Sequence, residues 1–240
     1  MKNTLISILT ITLFGCATTY DLNTPIITEE QASKMTIKDL NNAIVYQPQN
    51  VNLHLARADY FASTPSVDIA QEEYQIALNM KPNDSKIELK YANFLCNRKY
   101  DINSATPFYN KALNDTGDNE LRSNIYSHYA YCMAATEKYA TALDLYQKAL
   151  GYENPPLSAY IGIVALYTKA RNYPMANYYA SLYDDKPTDK SLEMQIGALR
   201  NLIDNNTDQT NHANLVAQYN NLNEQYDKLT GKKFADIPAN

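Results

Sequence analysis

Residues 51–150 decide the fold, because within them one short phrase occurs three times: YQIAL at 74–78, YNKAL at 109–113 and YQKAL at 146–150. Counted from Val51 in steps of about 34 residues, alanine recurs at the eighth, twentieth and twenty-seventh positions, and tyrosine recurs at the twenty-fourth. The second copy runs one place late in its second half. The residues at these positions are Ala58, Ala70, Tyr74 and Ala77, then Ala92, Ala105, Tyr109 and Ala112, then Ala130, Ala142, Tyr146 and Ala149.

This spacing is typical of the tetratricopeptide repeat (TPR), in which each copy folds as two antiparallel helices. Alanine lets the helix backbones approach closely, and the tyrosine fills the space between one helix pair and the next. No single copy can bury its apolar stripe alone, so the copies have to stack in one array. The pattern predicts helices at about 50–63, 66–80, 84–98, 102–114, 118–135 and 138–150, with Ser66 as an N-cap and Gly151 as a C-cap.

Weaker copies of the pattern extend to both sides. Residues 29–45 are predicted to be the second helix of a truncated first repeat, whose first helix is missing. After Pro155 and Pro156, which suit a helix start, further helices are predicted to about 170 and at 173–183, 189–204 and 208–230. The predicted fold class is therefore an all-α TPR superhelix of about five to six helix pairs, with the solenoid at 29–204 and a capping helix and tail at 205–240.

The composition is that of a globular protein, with 240 residues, 45% hydrophobic and 20% charged. A net charge of -5 and a pI near 5.2 argue against a nucleic-acid partner. The chain has 21 tyrosines and no tryptophan. Two interpretations of the tyrosines stay open at this point: an AT-rich coding bias, or a binding groove lined by tyrosine.

The first residues have the features of an export signal. An apolar run from Leu5 to Phe14 is too short to span a bilayer as a helix, and the segment 13–16 (LFGC) resembles the lipobox of bacterial lipoproteins. Ala17, where aspartate would favour the inner membrane, favours the outer membrane. An ordinary secretory signal with a chance cysteine is the alternative. The lipoprotein interpretation predicts a signal peptide at 1–15, acylation of Cys16 and a lipidated tether at 16–28.

Two further cysteines, Cys96 and Cys132, fall in the first helices of neighbouring repeats. Such helices stack side by side, so a disulfide is geometrically plausible, and an exported compartment permits one. Two buried free thiols are the alternative. The spacing alone does not decide between them.

Three short segments resemble the type IV pilus biogenesis and stability lipoproteins called PilF or PilW: 91–96 (YANFLC, followed by Lys99-Tyr100), 129–132 (YAYC) and 191–200 (SLEMQIGALR). With the lipobox and the number of repeats included, the resemblance covers nearly the whole chain after Cys16. Only the short segments are specific, since many proteins share the repeat background. Some members have bonded cysteines at both corresponding places, so the resemblance implies a disulfide between Cys96 and Cys132.

The same resemblance implies a non-enzymatic pilotin or stability factor, lipid-anchored on the periplasmic face of the outer membrane. Such proteins help the pilus secretin reach that membrane and assemble into its multimeric pore, or they stabilise fibres. The expected partner is a segment of the secretin subunit or of another exported protein. A TPR lipoprotein that serves as a scaffold for outer-membrane barrel assembly or for cell-wall enzymes is the alternative.

A partner is expected in the concave face of the superhelix, which the first helices line. Mixed amides, a few apolar side chains and little charge suit an extended or helical peptide. Asp59 and Tyr131 do not fit a clamp for a C-terminal carboxylate, which needs several basic side chains together. A solvated groove with partners on the convex face is the alternative. The predicted partner-binding residues are Asn52, Leu55, Asp59, Leu89, Asn93, Asn97, Asn124, Ser127, Tyr131 and Ile161.

Residues suited to catalysis or metal binding are few. The three histidines, His54, His128 and His212, fall in separate helices, without a second ligand one turn away. His54 is predicted to pack in the core, and the acidic pairs Glu29-Glu30 and Glu72-Glu73 are predicted to be solvated helix faces. We therefore predict no enzyme, no cofactor and no metal site. A site assembled across the groove around His128 is the remaining enzymatic hypothesis.

Overall fold

A computed structural model describes residues 25–205 and 211–235, and within these two ranges the protein is helical, with twelve helices and no strand. The all-α prediction is therefore confirmed for this part of the chain. The helices are α1 (Glu29–Ser33), α2 (Ile37–Tyr46), α3 (Val51–Ala62), α4 (Val67–Met80), α5 (Ser85–Asn97), α6 (Ile102–Asp115), α7 (Asn119–Ala135), α8 (Tyr139–Leu150), α9 (Leu157–Lys169), α10 (Tyr173–Ser181), α11 (Asp189–Asn205) and α12 (His212–Thr230).

The helices pair as the repeat pattern predicts. Helices α3 to α8 are the pairs of the three strong copies, and each begins and ends close to its predicted bounds. The pairs α9–α10 and α11–α12 continue the arrangement. The first helices α5, α7, α9 and α11 also contact one another in turn, so they form one continuous layer. The exposed side of this layer, extended by α3, is the surface on which a partner is expected.

The repeated alanines and tyrosines form the core between the helices. All nine alanines of the pattern have no exposed surface, so the backbones of paired helices approach closely. The pattern tyrosines are buried as well: the ring of Tyr109 stacks on Tyr129 of the next pair, with centroids 4.7 Å apart. One cluster of buried side chains runs from α3 to α9. The repeats therefore share a core.

The first repeat differs from its prediction. Residues 29–45, expected to form one helix, form α1 and the greater part of α2, with a break at residues 34–36. The reason is local, because the Thr36 hydroxyl accepts a hydrogen bond from the Asp39 N–H (3.2 Å) and caps a new helix. Ala32 of α1 and Leu40 of α2 are buried in one cluster with Leu53 of α3. The first helix is thus short, not missing.

The segment before α1 is bonded to the solenoid. The Gln47 side chain donates to the carbonyl of Pro25 (2.9 Å) and accepts from the N–H of Ile27 (3.1 Å), while Asn50 donates to the Ile27 carbonyl (2.9 Å). Of the predicted tether at 16–28, residues 25–28 therefore belong to the folded end. The predicted signal peptide and Cys16 lie outside the described residues.

The last pair closes the array. Helix α12 ends at Gly231, whose left-handed φ of 69° is the common way to terminate a helix. The chain beyond it returns to α12, where the Tyr219 hydroxyl donates to the Ala235 carbonyl (2.8 Å) and the Asn223 amide donates to the Phe234 carbonyl (2.7 Å). Among the helices described, each is too short or too polar to cross a bilayer.

Candidate functional site

The first helices α3, α5, α7 and α9 carry the ten predicted groove residues, but two of them do not reach solvent. Leu55 packs in the shared core, and Ser127 is buried with its Oγ 2.8 Å from the Oγ of Ser158 on α9. For these two residues the prediction is wrong, because each side chain turns towards a neighbouring helix. The other eight are exposed or half-buried: Asn52, Asp59, Leu89, Asn93, Asn97, Asn124, Tyr131 and Ile161.

Buried tyrosines hold two of the groove side chains from behind. The Tyr74 hydroxyl donates to Asp59 (2.5 Å), and the Tyr109 hydroxyl donates to Asn93 (2.8 Å). Burial and the neighbouring Asp59 carboxylate raise the pKa of Tyr74 far above its ordinary value, and burial does the same to the pKa of Tyr109. Both hydroxyls therefore remain protonated donors. In these two repeats, the pattern tyrosine and the polar side chain at the ninth position therefore hold each other in place.

Polar groups on α3 and α5 are already paired within the chain. Lys90 Nζ lies 2.8 Å from Asp59 Oδ2, so this ion pair joins α5 to α3. The Asn52 amide donates to the Ile27 carbonyl (3.1 Å), which means that the chain's own N-terminal segment occupies it. Asn52 and Asp59 consequently have less capacity to bind a partner than the sequence suggested.

Helices α7 and α9 present an open apolar surface. Tyr131 is 57% exposed and Ile161 is 37% exposed. The contact between Ser127 and Ser158 brings α7 and α9 together at one level. Tyr131 lies four residues beyond Ser127, and Ile161 lies three residues beyond Ser158, so both follow about one turn later on adjacent helices. We call Tyr131 and Ile161 the groove patch.

A disulfide lies behind the groove. It joins Cys96 of α5 to Cys132 of α7, with the two Cα atoms 5.9 Å apart and both residues buried. The bonded cysteines directly adjoin two groove residues, Asn97 and Tyr131. The bond therefore limits how far α5 and α7 can separate.

The sequence interpretation missed a buried ionic network between α3 and α4. Glu73, predicted to be solvated, is buried, with its carboxylate 2.7 Å from His54 Nδ1 and 2.5 Å from an Arg57 terminal nitrogen. Burial alone would raise the pKa of Glu73, but the hydrogen bonds from His54 and Arg57 outweigh it and lower that pKa. One signal was available: residue 73 falls in the buried stripe that Ala70 and Ala77 define.

The histidines do not assemble a reactive site. His54 is buried, as predicted, and its Nε2 faces the carbonyl of Pro48 at 3.0 Å. His128 and His212 lie on α7 and α12. In the part of the chain that the structure describes, His, Cys, Asp and Glu form no group of three or more that could bind a metal ion.

Comparison with solved structures identifies the fold. The chain is similar to PilW, described as a widely conserved type IV pilus biogenesis factor, with a TM-score of 0.60 and 20% identity over 80% of this chain and 83% of that one. It is also similar to Pseudomonas aeruginosa PilF, with a TM-score of 0.56 and 23% identity over 81% of this chain and 87% of that one. The predicted TPR superhelix, and the resemblance in fold to PilF and PilW, are confirmed. No protein-family model and no curated protein matches the sequence.

Proposed function

We propose that this protein is a lipid-anchored, non-enzymatic assembly factor of the type IV pilus system, acting as a pilotin or stability factor for the pilus secretin. The observation that carries the proposal is the likeness in fold to PilW over 80% of the chain. The lipobox-like segment at 13–16 supports the anchor. The open surface of the first helices supports a protein partner.

In this proposal a segment of the secretin subunit binds along α5, α7 and α9. The groove patch supplies an apolar anchor, and Asn93 and Asn97 lie on α5, which contacts α7. The Asn93 oxygen accepts from Tyr109, which leaves its N–H groups for a partner carbonyl. An apolar anchor flanked by side-chain amides suits a short extended or helical segment. No step in this function requires catalysis.

The lipid at Cys16 determines which membrane the bound secretin reaches. Several acyl chains hold a protein on a bilayer stably without a membrane-spanning helix. A lipoprotein sorted to the outer membrane therefore carries its bound client there, where the secretin subunits assemble.

Cross-linking from the groove tests the partner. A photoreactive phenylalanine analogue is placed at Tyr131 in the full-length protein, in cells that make pili. We expect a cross-link to the secretin subunit. The same analogue at Tyr178, an exposed tyrosine on the second helix α10, is the control and should give no such product. Cross-links from Tyr131 only to barrel-assembly or cell-wall proteins would reject the secretin and favour the scaffold function.

A Cys16→Ala variant tests the anchor separately. Binding of secretin in a pull-down should persist, because the groove is intact, while secretin multimers in the outer membrane should fall to the level of a deletion strain. Unchanged multimers would show that the lipid has no part in the function.

A further inference from the structure

The N-terminal end of the solenoid carries three strongly exposed apolar side chains. Ile26 is 76% exposed, Tyr46 is 73% exposed and Val45 is 61% exposed. Together with Tyr100, they are the most exposed large apolar residues in the part of the chain that the structure describes. We call Ile26, Val45 and Tyr46 the end patch.

The fold exposes these side chains and places Ile26 near the end of α2. Leu40, Ala43 and Ile44 direct one side of α2 into the core, so Val45 and Tyr46, at the end of the helix, project on the other side. Gln47 follows Tyr46 and bonds to the backbone on both sides of Ile26. Ile26 is therefore held beside the end of α2.

The same hydrogen bonds determine where the chain leaves the solenoid. The Gln47 bond to the Pro25 carbonyl attaches Pro25 to the solenoid, next to the end patch. Cys16 precedes Pro25 by nine residues. A fully extended chain spans at most about 3.6 Å per residue, so the end patch lies within roughly 30 Å of an acylated Cys16.

We propose that the end patch rests on the surface of the bilayer in which the Cys16 lipid is embedded, so that the solenoid stands on its N-terminal end. This inference rests on the proposed lipid anchor. Isoleucine and valine favour the boundary of the acyl region, and tyrosine favours the interface, where its ring is buried and its hydroxyl stays hydrated. The short tether keeps the patch at a high effective concentration near the surface, so three side chains suffice for a contact that a free protein would not make.

The charged side chains on and between α1 and α2, at this end of the solenoid, are of both signs. Lys34 pairs with Glu30 at 2.7 Å, and Lys38 lies on the exposed surface of α2 together with Asp39. Glu29 is exposed as well, so acidic and basic groups are mixed. The contact should therefore depend on the apolar side chains and persist with uncharged lipids.

The absence of tryptophan from the chain provides a specific probe. Tyr46→Trp introduces one tryptophan into the end patch of the full-length lipoprotein, which is reconstituted into phosphatidylethanolamine and phosphatidylglycerol vesicles. We expect its emission to shift to the blue and to be quenched by brominated acyl chains. The control, Tyr100→Trp, places the probe at an 83% exposed tyrosine between α5 and α6 and should keep a solvent-exposed spectrum.

Two readouts separate this inference from the anchor on which it depends. Flotation of the protein with the vesicles, together with the mass of the peptide that contains Cys16, shows whether the protein is lipid-anchored. The tryptophan spectrum shows whether the end patch contacts the bilayer. A Tyr46→Trp protein that floats but keeps a solvent-exposed spectrum overturns the end patch alone. Protein that does not float overturns both.

Adding Ile26→Ser and Val45→Ser to Tyr46→Trp should return the emission towards that of exposed tryptophan while flotation persists. A blue shift seen only after secretin is added would assign the patch to a protein partner and reject the bilayer.

Discussion

At the scale of single residues, one close contact between helices depends on a glycine that the repeat pattern does not mark. A Cβ atom at Gly162 of α9 would overlap the ring and hydroxyl of Tyr146, which lies against the backbone of α9. Burial raises the pKa of that tyrosine to about 12, so its hydroxyl stays neutral in this contact. Glycine at 162 therefore lets α8 and α9 approach closely.

Gly162→Ala should destabilise the protein, because either Tyr146 or α9 has to move. We expect a loss of about 1–3 kcal/mol in the free energy of unfolding, measured by urea titration. Gly197→Ala in α11 is the matched control, since a Cβ there meets nothing within 4 Å, and alanine should stabilise that helix by about 0.5–1 kcal/mol. Equal effects of the two substitutions would contradict the packing argument.

Glu73 predicts a pH dependence of stability. Because its pKa is lowered in the folded state, the ionised carboxylate contributes its full stability above the ordinary value of 4.5, and the contribution is lost as the pH falls through the folded value. Glu73→Gln should cost about 1–3 kcal/mol at neutral pH, and the difference from the unsubstituted protein should shrink only below about pH 4.5. Urea titrations across this range measure it. Glu72→Gln, at the exposed neighbour, should change little, and a pH-independent cost at Glu73 would argue against the ionic network.

At the scale of elements, three of the turns within helix pairs share a strained backbone. Tyr100, Glu137 and Arg171 each precede the first residues of a second helix and have positive φ values of 56°, 61° and 56°. Side chains other than glycine are disfavoured in this conformation. Glycine at these positions would relieve the backbone strain and so stabilise the folded protein.

Glu137→Gly should stabilise the protein by up to about 1 kcal/mol, since relief of strain exceeds the added freedom of the unfolded chain. Thermal unfolding measures the effect. Gly231→Ala, at a glycine with φ of 69°, is the opposite control and should destabilise by a similar amount. A lower melting temperature for Glu137→Gly would show that its side chain contributes more than the strain costs.

The bond between Cys96 and Cys132 links α5 to α7, two neighbouring first helices. Closing a loop with a sequence separation of 36 residues should stabilise the folded state by about 3–4 kcal/mol on the entropic model. We expect a reductant to lower the urea midpoint of the unsubstituted protein and to leave a Cys96→Ala/Cys132→Ala variant unchanged. Quantitative alkylation of both thiols in the unreduced, unfolded protein would exclude the disulfide.

At the scale of the whole molecule, the surface formed by the first helices α3, α5, α7 and α9 has two different parts. Helix α3 uses Asp59 and Asn52 for internal bonds, whereas α7 and α9 leave the groove patch open. A partner should therefore gain most of its apolar contact from α7 and α9. Together with the end patch, this places the proposed lipid contact and the proposed protein contact at different levels of the solenoid.

Tyr131→Ser combined with Ile161→Ser should weaken the proposed binding of the secretin segment by about 10- to 100-fold, as expected for loss of a central apolar anchor. Titration of the purified proteins measures the affinity. Tyr178→Ser with Leu182→Ser removes a similar exposed pair near the end of α10 and should leave the affinity unchanged. The same loss in both variants would place the binding surface outside the groove.

The sequence by itself determined the repeat architecture, because alanine at fixed positions is needed wherever two helix backbones touch. The bounds of α3 to α8 and the burial of the pattern tyrosines followed from that periodicity. Only the tertiary structure decided which groove side chains are available. Leu55 and Ser127 turn towards neighbouring helices, and Asn52 bonds to the segment that precedes α1. The Glu73 carboxylate bonds to His54 and Arg57. A period assigns a residue to a face of its own helix, but its partners come from other helices, and their contacts arise only when the helices pack.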